Sequence, residues 1–306
     1  MSDIDRNMVK GAILTIGNFD GVHVGHRKLI DTVIRYACRE KKTSVLYTFS
    51  PHPHQVLFPE RQHRLLYSIK KNKSLLQGLG LDHLIVEPFT SDFSKLSPEE
   101  FIEKYIVGFM QPTFIVVGYN FRFGIGSAGS IPLLEKLKKK HNFRLKIVPP
   151  VKRKGLIVSS SAIKKAILSG HWDLVSAFLG RFFSITGLVV KGEGRGKALG
   201  FPTINLKVED SILLPMDGVY IARVRKENQY FQAVVNIGQT PTFFPNCLKK
   251  IEVHLIGRNE QWRDKECEVE MVEYIRPEYK FSDSQALIHQ INKDVVQAQL
   301  RLEQIR

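Results

Sequence analysis

Two histidines three residues apart, His23 and His26, close the string Ile16-Gly-Asn-Phe-Asp-Gly-Val-His-Val-Gly-His26. On a first helical turn, rings at that spacing lie side by side and present N–H donors to one space, which suits stabilisation of a phosphate as charge builds on it. Ala12–Ile16 before them is an apolar run of strand type, and Leu29, Ile30, Val33, Ile34 and Ala37 after them have helical spacing. A strand that breaks at Gly17 and leads into a helix N-terminus offers free backbone N–H groups where open α/β sheets hold anions. Gly17, Asn18, Phe19, Asp20 and Gly25 are therefore candidate phosphate-binding residues. A His-x-x-His pair on a helix also fits a metal site, but such a site needs further ligands, and His52 and His54 are the obvious His neighbours in sequence.

Four other stretches carry chemistry-bearing residues. Gly118-Tyr-Asn-Phe-Arg-Phe-Gly-Ile-Gly126 follows an apolar run and is glycine-rich, as either a ligand-approached loop or an ordinary turn would be. Ser159-Ser-Ser-Ala-Ile-Lys164 puts hydroxyls, helix N–H groups and a cation into one turn; Ser160, Ser161 and Lys164 suit a phosphate, though a plain Ser-capped helix has the same composition. In Gly192-Glu-Gly-Arg-Gly-Lys-Ala-Leu-Gly-Phe-Pro-Thr-Ile-Asn205, the residues Gly192, Gly194, Arg195, Gly196, Lys197 and Gly200 make a flexible cationic loop. It is no Walker A loop, because Lys191 and Ala198 occupy the places of its first Gly and its Ser/Thr. Last, alternation in Ile251-Glu-Val-His-Leu255 turns Glu252 to the face opposite the apolar residues.

The elements that must position these residues change character along the chain. Up to about residue 170, strand-like runs (Ala12–Ile16, Ser44–Phe49, Leu84–Val86, Thr113–Val117, Leu145–Val148) alternate with helical ones. Among the latter, Ser97-Pro-Glu-Glu100 opens a helix by capping box and reaches about Gly108, and Pro132–His141 follows later. That alternation predicts a doubly wound parallel sheet with the loops after Ile16, Phe49 and Val117 on one edge. Beyond it, Phe183–Lys191, Val219–Arg225, Tyr230–Ile237, Lys250–Leu255 and Glu266–Ile275 are strands without intervening helices, which implies an antiparallel barrel or sandwich. A closing helix, capped by Ser282, carries Ala286, Leu287, Ile291, Val295, Ala298 and Leu302 on its apolar face. Two domains are expected, residues 1–182 and 183–306.

Composition narrows the partners. The 306 residues carry 45 Lys and Arg against 30 Asp and Glu. The excess sits in residues 1–182, with 28 basic against 14 acidic residues, while residues 183–306 have 17 against 16. A basic domain of this kind faces anions, either nucleic acid or small phosphates. No N-terminal apolar run has signal-peptide length and no run of about 18 apolar residues indicates a membrane span, so a cytoplasmic protein is expected. Cys38, Cys247 and Cys267 are scattered and read as reduced thiols.

The Gly17–His26 string resembles the nucleotidyltransferase signature in the form found in bacterial bifunctional riboflavin kinase/FAD synthetases. Gly118–Gly126 resembles that family's second adenylyltransferase motif, with Asn120 where the family more often has Asp, and Gly129-Ser130 where it often has Gly-Asp. Ser159–Lys164 resembles its Ser-Ser-Thr-x-Ile-Arg, with Ser161 for Thr and Lys164 for Arg. Pro202-Thr-Ile-Asn205 resembles the Pro-Thr-Ala-Asn motif of riboflavin kinases. Further resemblance lies in Asn236–Phe243, Ile251–Leu255, Tyr274–Phe281 and Gln290–Asp294, so it runs from about Ile13 to Ala298. Between Leu255 and Glu266 the chain departs: where the family commonly has Leu-Asp-Phe and a Tyr-Gly pair, it has Ile256-Gly-Arg-Asn-Glu-Gln-Trp262-Arg.

The resemblance implies an α/β nucleotidyltransferase domain followed by an antiparallel β-barrel kinase domain with a C-terminal helix. It implies ATP-dependent phosphorylation of riboflavin to FMN, then adenylylation of FMN to FAD with release of pyrophosphate. His23, His26 and Lys164 would act on the ATP phosphates, Glu252 as base on the ribityl hydroxyl, and Thr203 and Asn205 as Mg²⁺ ligands. Phe49, His52, Asn120 and Arg122 would face the flavin in the first domain. Small molecules are then the expected partners, with no membrane and no nucleic acid; the oligomeric state stays open. Two alternatives are a kinase whose adenylyltransferase half is weakened or inactive, or decayed into a flavin- or RNA-binding module, and a tRNA-dependent nucleotidyl transferase, since His-Val-Gly-His also resembles the class I aminoacyl-tRNA synthetase motif.

Overall fold

The computed structural model describes residues 5–192, 194–227, 229–239, 249–259 and 262–305; the side chains of Arg195 and Gln239 also lie outside the description. The chain divides into two compact units, Met1–Ser160 and Ser161–Arg306.

In the first unit, β1 (Ile13–Ile16), β2 (Ser44–Ser50), β3 (His83–Pro88), β4 (Phe114–Gly118) and β5 (Arg144–Val148) form a parallel sheet in the order β3-β2-β1-β4-β5. Every residue of β1 is buried, as a central parallel strand requires. Its side chains alternate between two cores. Leu14 and Ile16 pack with Phe101, Ile102, Ile106 and Leu134, whereas Ile13 packs with Val33 and Phe114. The strand order reverses beside β1, between β2 and β4, and all strands run the same way, so the segments after β1, β2 and β4 leave one edge of the sheet. Helix α1 (Val24–Glu40) follows β1, α2 (Ile69–Gln77) precedes β3, and α3 (Ile131–His141) precedes β5.

The helix expected from Ser97 to Gly108 starts as the sequence predicts. Ser97 Oγ accepts from Glu100 N at 3.1 Å and Glu100 Oε2 accepts from Ser97 N at 3.0 Å. It then departs: after one α-turn, Phe101–Val107 is a π-helix, and the N–H of Gly108 bonds to the Glu103 carbonyl five residues back. A Cβ on Gly108 would meet that carbonyl oxygen at 2.8 Å, so glycine permits the wide turn. Hydrophobic spacing does not report hydrogen-bond register, and the π-turn has the apolar pattern of ordinary helix.

In the second unit, α4 (Ser160–Leu168, whose first residue belongs to the first unit) and α5 (Trp172–Leu179) lead into a closed six-stranded barrel. Its strands are β6 (Phe183–Val190), β7 (Thr203–Lys207), β8 (Gly218–Lys226), β9 (Gln229–Gln239), β10 (Lys249–Leu255) and β11 (Glu266–Arg276), ordered β8-β9-β10-β7-β6-β11. The strand β7 is not legible in the sequence, because it is five residues long and opens directly after Pro202. Helix α6 (Ser284–Glu303) buries Ala298 and Leu302 against Val219, Ile221, Val234 and Val272. Its N-cap is Asp283 rather than the expected Ser282: Asp283 Oδ1 accepts from Ala286 N at 2.8 Å, and Ser282 Oγ donates to Asp283 Oδ2. Those bonds hold the Asp283 carboxyl below its ordinary range.

A buried ion pair ties α6 to the barrel. Arg276 Nε and Nη2 donate to the Asp294 carboxylate at 3.1 and 2.8 Å, with the two side chains 11% and 2% exposed, and Gln290 Nε2 donates to Asp294 Oδ1. Removing one partner strands a buried charge, so Asp294→Ala is expected to destabilise the barrel by about 3–5 kcal/mol in urea unfolding. The Arg301–Glu273 pair is 44% and 41% exposed, and Glu273→Ala should cost under about 1 kcal/mol. Equal costs for the two variants would contradict the burial argument.

Candidate functional sites

The turn after β1 is held from four directions. Gly17 N donates to the Tyr47 carbonyl at 3.1 Å. Asp20 Oδ1 accepts from Leu66 N at 2.9 Å, and the Asp20 carbonyl accepts from Ser160 Oγ at 2.9 Å. Gly21 N donates to Asn72 Oδ1 at 3.0 Å, while Asn72 Nδ2 donates to the Tyr67 carbonyl. Gly21 has φ +87°, and a Cβ there would meet Leu66 Cδ1 at 2.5 Å. Val22, fully buried, sits at φ +41°, a strained conformation for a β-branched residue. Such strain persists where the surroundings over-determine it, as these bonds do. The Asp20 carboxylate thus has a tying role; Leu66 and Asn72 share it and are not evident from sequence, because each acts across more than forty residues of chain.

His23 is the N-cap of α1 and is 5% exposed. Its Nδ1 accepts from His26 N at 3.2 Å, so a neutral ring carries its proton on Nε2. The two imidazoles stack with centroids 3.6 Å apart and planes at 16°, and buried Phe19 gives His26 an edge-on contact at 5.0 Å. A Cβ on Gly25 would lie 3.1 Å from the His23 ring, which explains why glycine separates the histidines. Among the described residues no group of three or more His, Cys, Asp or Glu is placed to hold a metal ion, so the pair lacks the companions a His-x-x-His metal site needs.

A cavity of about 490 Å³ opens beside Ile16 and Asn18. Its walls are largely aromatic, with Phe49, Phe58, Phe89, Phe93, Phe101, Phe121 and Phe123, and Arg122 and His54 are among its polar members. Phe49 contacts Phe89, Phe93 and Phe101 with ring centroids 5.7 to 6.2 Å apart. Of the four residues expected at a flavin, Phe49 and Arg122 line this cavity. His52 and Asn120 do not. His52 is the N-cap of the short helix Pro53–Leu57, its Nδ1 accepting from His54 N, and its ring stacks on His63 at 4.6 Å. The exposed Asn120 sits against Gly118. Phe89, Phe93 and Phe101 are cavity residues that sequence reasoning missed; the spacing of Phe89 and Phe93 is the signal that points to them. In the neighbouring loop, a Cβ on Gly124 would meet Pro98 N at 2.6 Å and one on Gly129 the Phe123 carbonyl oxygen at 2.6 Å, so these glycines serve close packing. Ser130 stands at the N-cap of α3 and makes no side-chain cap bond. Ser161 and Lys164 lie on α4, whose first residue Ser160 bonds to Asp20.

In the barrel, Thr203 and Asn205 line a second cavity, of about 320 Å³, together with Gly192, Gly194 and Lys197. Asn205 is 7% exposed, and its Oδ1 is buried with no hydrogen-bond partner among the described residues. A Cβ on Gly192 would fall 2.0 Å from Asn205 Nδ2, so only glycine leaves that amide its place. A Cβ on Gly196 would meet the Phe201 carbonyl oxygen at 2.4 Å, whereas Gly200, at φ +88°, meets nothing. Arg195 opens a short helix, and its side chain lies outside the described residues, as do Glu193, Cys247 and the Thr240–Phe243 part of the Asn236–Phe243 stretch. Strand register puts Glu252 opposite Asn205 on one side and Asn236 on the other, so three polar side chains share one face of β7, β10 and β9. Lys250 Nζ lies 3.0 Å from Glu252 Oε1, and Asn236 Nδ2 donates to Glu278 Oε1 at 2.7 Å.

A phosphate-type turn on a doubly wound sheet, followed by a barrel that gathers hydroxyl, amide and carboxylate groups round a cationic loop, defines a two-domain phosphate-transferring enzyme. Comparison with known proteins narrows the class. Residues 5–162 match the family model described as FAD synthetase, and residues 179–302 that described as riboflavin kinase. The bifunctional riboflavin kinase/FMN adenylyltransferase of Buchnera aphidicola (subsp. Schizaphis graminum) is 33% identical, covering 95% of this chain and 94% of its own. That of Bacillus subtilis is 32% identical over 94% and 91%, and that of Escherichia coli K12 30% over 94% and 92%. A crystal structure from Streptococcus pneumoniae titled a macrolide-efflux protein superposes with TM-score 0.85 at 28% identity, covering 95% of both chains. Among the described residues here, no helix is long and apolar enough to cross a membrane. The chain belongs to the bifunctional riboflavin kinase/FMN adenylyltransferase family. Its riboflavin kinase half leaves the tRNA-dependent alternative without support, and matches across both halves favour the two-activity reading over a kinase alone.

Proposed function

We propose that Glu252, Thr203, Asn205 and the Gly192–Gly200 loop carry the kinase step, and that His23, His26, Ser160, Ser161 and Lys164 carry the adenylyl step. The observation that supports this best is the register Asn205–Glu252–Asn236, which sets a carboxylate beside a buried amide oxygen that has no protein partner among the described residues. In the first step the riboflavin 5′-hydroxyl oxygen attacks the γ-phosphorus of ATP, the bond to the β-phosphate oxygen breaks, ADP leaves and Glu252 takes the hydroxyl proton. In the second, an FMN phosphate oxygen attacks the α-phosphorus of a second ATP and pyrophosphate departs with the bonding pair. No protein nucleophile is required there. The Nε2–H of His23 and the ring of His26 supply donors to the phosphate oxygens, and Lys164 a cation. The functional division is placed at 182/183, so that α4, with Ser161 and Lys164, serves the adenylyl half. The aromatic cavity beside Asn18 is proposed to take the isoalloxazine ring through Phe49, with Arg122 at its edge.

The donor set fits Mg²⁺: Thr203 and Asn205 offer hard oxygens beside a phosphate-type loop, and Asn205 Oδ1 lacks any other partner among the described residues. When bound, the ion neutralises charge on the nucleotide phosphates. A cytoplasmic location is part of the proposal, in keeping with a chemistry that needs ATP and small flavins. The test is to incubate the full chain with riboflavin, ATP and Mg²⁺ and to separate FMN from FAD; both flavins should form, and absence of both would overturn the reading. Asn205→Ala should raise the Mg²⁺ concentration for half-maximal FMN formation about tenfold or more, the loss of one ion-dipole contact of roughly 1.5–3 kcal/mol. FAD formation from supplied FMN should be unchanged. An unaltered Mg²⁺ dependence would remove Asn205 from the ligand set.

A further inference from the structure

The segment between β10 and β11 lines the barrel cavity. Arg258 and Arg263 stand on the cavity wall with Lys191 and Lys197, and none of the described residues lining it is acidic. The other arginines of the barrel strands are neutralised: Arg223 by Glu270 at 2.7 Å, Arg225 by Glu268 at 2.8 Å and Arg276 by Asp294 at 2.8 Å. Arg258 and Arg263 have no carboxylate partner among the described residues. Guanidinium groups gathered on one cavity, with no carboxylate partner among the described residues, suit an anion, and their planar fork matches phosphate oxygens.

The hairpin's arms are fixed to the barrel. Asp264 N donates to the Val189 carbonyl at 3.0 Å, Lys265 N to the Trp262 carbonyl at 3.1 Å and Arg258 N to the Leu255 carbonyl at 3.3 Å. Trp262 is only 2% exposed, with Phe231 edge-on at 5.1 Å and Lys226 Nζ 4.7 Å from its centroid. Its indole is therefore packed against the barrel and, although it borders the cavity, presents almost no surface to it.

We propose that Arg258 and Arg263 grip the phosphate chain of the nucleoside triphosphate in the kinase site, so that this site holds its nucleotide through phosphate rather than through base stacking. The proposal rests on the reading of the barrel as the riboflavin kinase. Charge-assisted hydrogen bonds of this type contribute enough that losing one raises a dissociation constant about 10- to 100-fold.

The test measures initial rates of FMN formation by the full chain, with Mg²⁺ inorganic tripolyphosphate as a baseless competitor. In the parent enzyme tripolyphosphate should compete with ATP. Arg258→Ala and Arg263→Ala should each raise KM for ATP and weaken tripolyphosphate inhibition by about tenfold or more, with KM for riboflavin unchanged. Arg258→Lys and Arg263→Lys, which keep the charge and lose the fork, should fall between, and they serve where the alanine variants fail to fold. FAD formation from supplied FMN monitors the other unit and should not move. KM for ATP and tripolyphosphate inhibition within twofold of the parent in the double variant would overturn the proposal while leaving the kinase reading intact. Failure of the parent enzyme to make FMN would instead overturn the kinase reading.

Discussion

Glu252→Gln is expected to lower the rate of FMN formation from riboflavin and ATP by about 10²- to 10⁴-fold, the range that a positioned general base contributes. Gln keeps the shape of the side chain and can still accept a hydrogen bond from Lys250, which lies 3.0 Å from the Glu252 carboxylate. It cannot take a proton. The loss should therefore appear in kcat, with KM for ATP little changed, because the nucleotide is assigned to the Gly192–Gly200 loop and the adjoining cavity, whose lining does not include Glu252. FAD formation from supplied FMN belongs to the other unit and should continue at the parent rate. That internal comparison separates a chemical defect from a folding defect in one preparation. Retention of a third or more of the parent kcat would show that the hydroxyl needs no such base, as a loose transition state with little demand on the attacking proton would allow.

His26→Ala is expected to lower FAD formation from FMN and ATP by about 10²- to 10³-fold, the effect of removing one preorganised donor from a site of charge development. His26 is the cleaner of the two histidines to remove. His23 also caps α1 through its Nδ1, so its loss mixes a helix-capping cost of about 0.5–2 kcal/mol with any chemical one. His26 contributes to the cap only its backbone N–H, which alanine retains. Its ring stacks at 3.6 Å on His23, so the variant also frees the His23 ring to tilt, and part of the loss is expected through that movement. FMN formation should be untouched. An unchanged FAD rate in His26→Ala would take the pair out of the adenylyl step.

Much of the fold and of the candidate sites is legible in the amino-acid sequence, and the legible part is local. Gly17–His26, Pro202–Asn205 and Glu252 within Ile251–Leu255 are contiguous strings, in which the order of residue types follows from what a turn, a helix N-terminus or one strand face can present. The alternation of strands with helices up to residue 170, and its absence after 183, separates a parallel sheet from an antiparallel one for the same reason. The structure differs from the sequence reading where the local sequence is ambiguous. Ser282 and Asp283 are both N-cap residues by type, and the choice between them depends on which side chain meets Ala286 N. His52 and His54 are two residues apart, and their helix puts the second on the cavity and spends the first on a cap.

By itself the sequence determined which groups are available and in what order: two imidazoles at a glycine turn, a hydroxyl and an amide after a cationic loop, a carboxylate on an amphipathic strand. Tertiary structure alone decided what stands beside them. Asn72 and Leu66 hold the Asp20–Gly21 turn, β7 and β9 bring Asn205 and Asn236 to either side of Glu252, and seven phenylalanines wall one cavity. Each of those arrangements is a pairing between segments distant in sequence, chosen by sheet register and by which apolar faces must be buried together. Residue spacing along a single segment carries no record of such a choice.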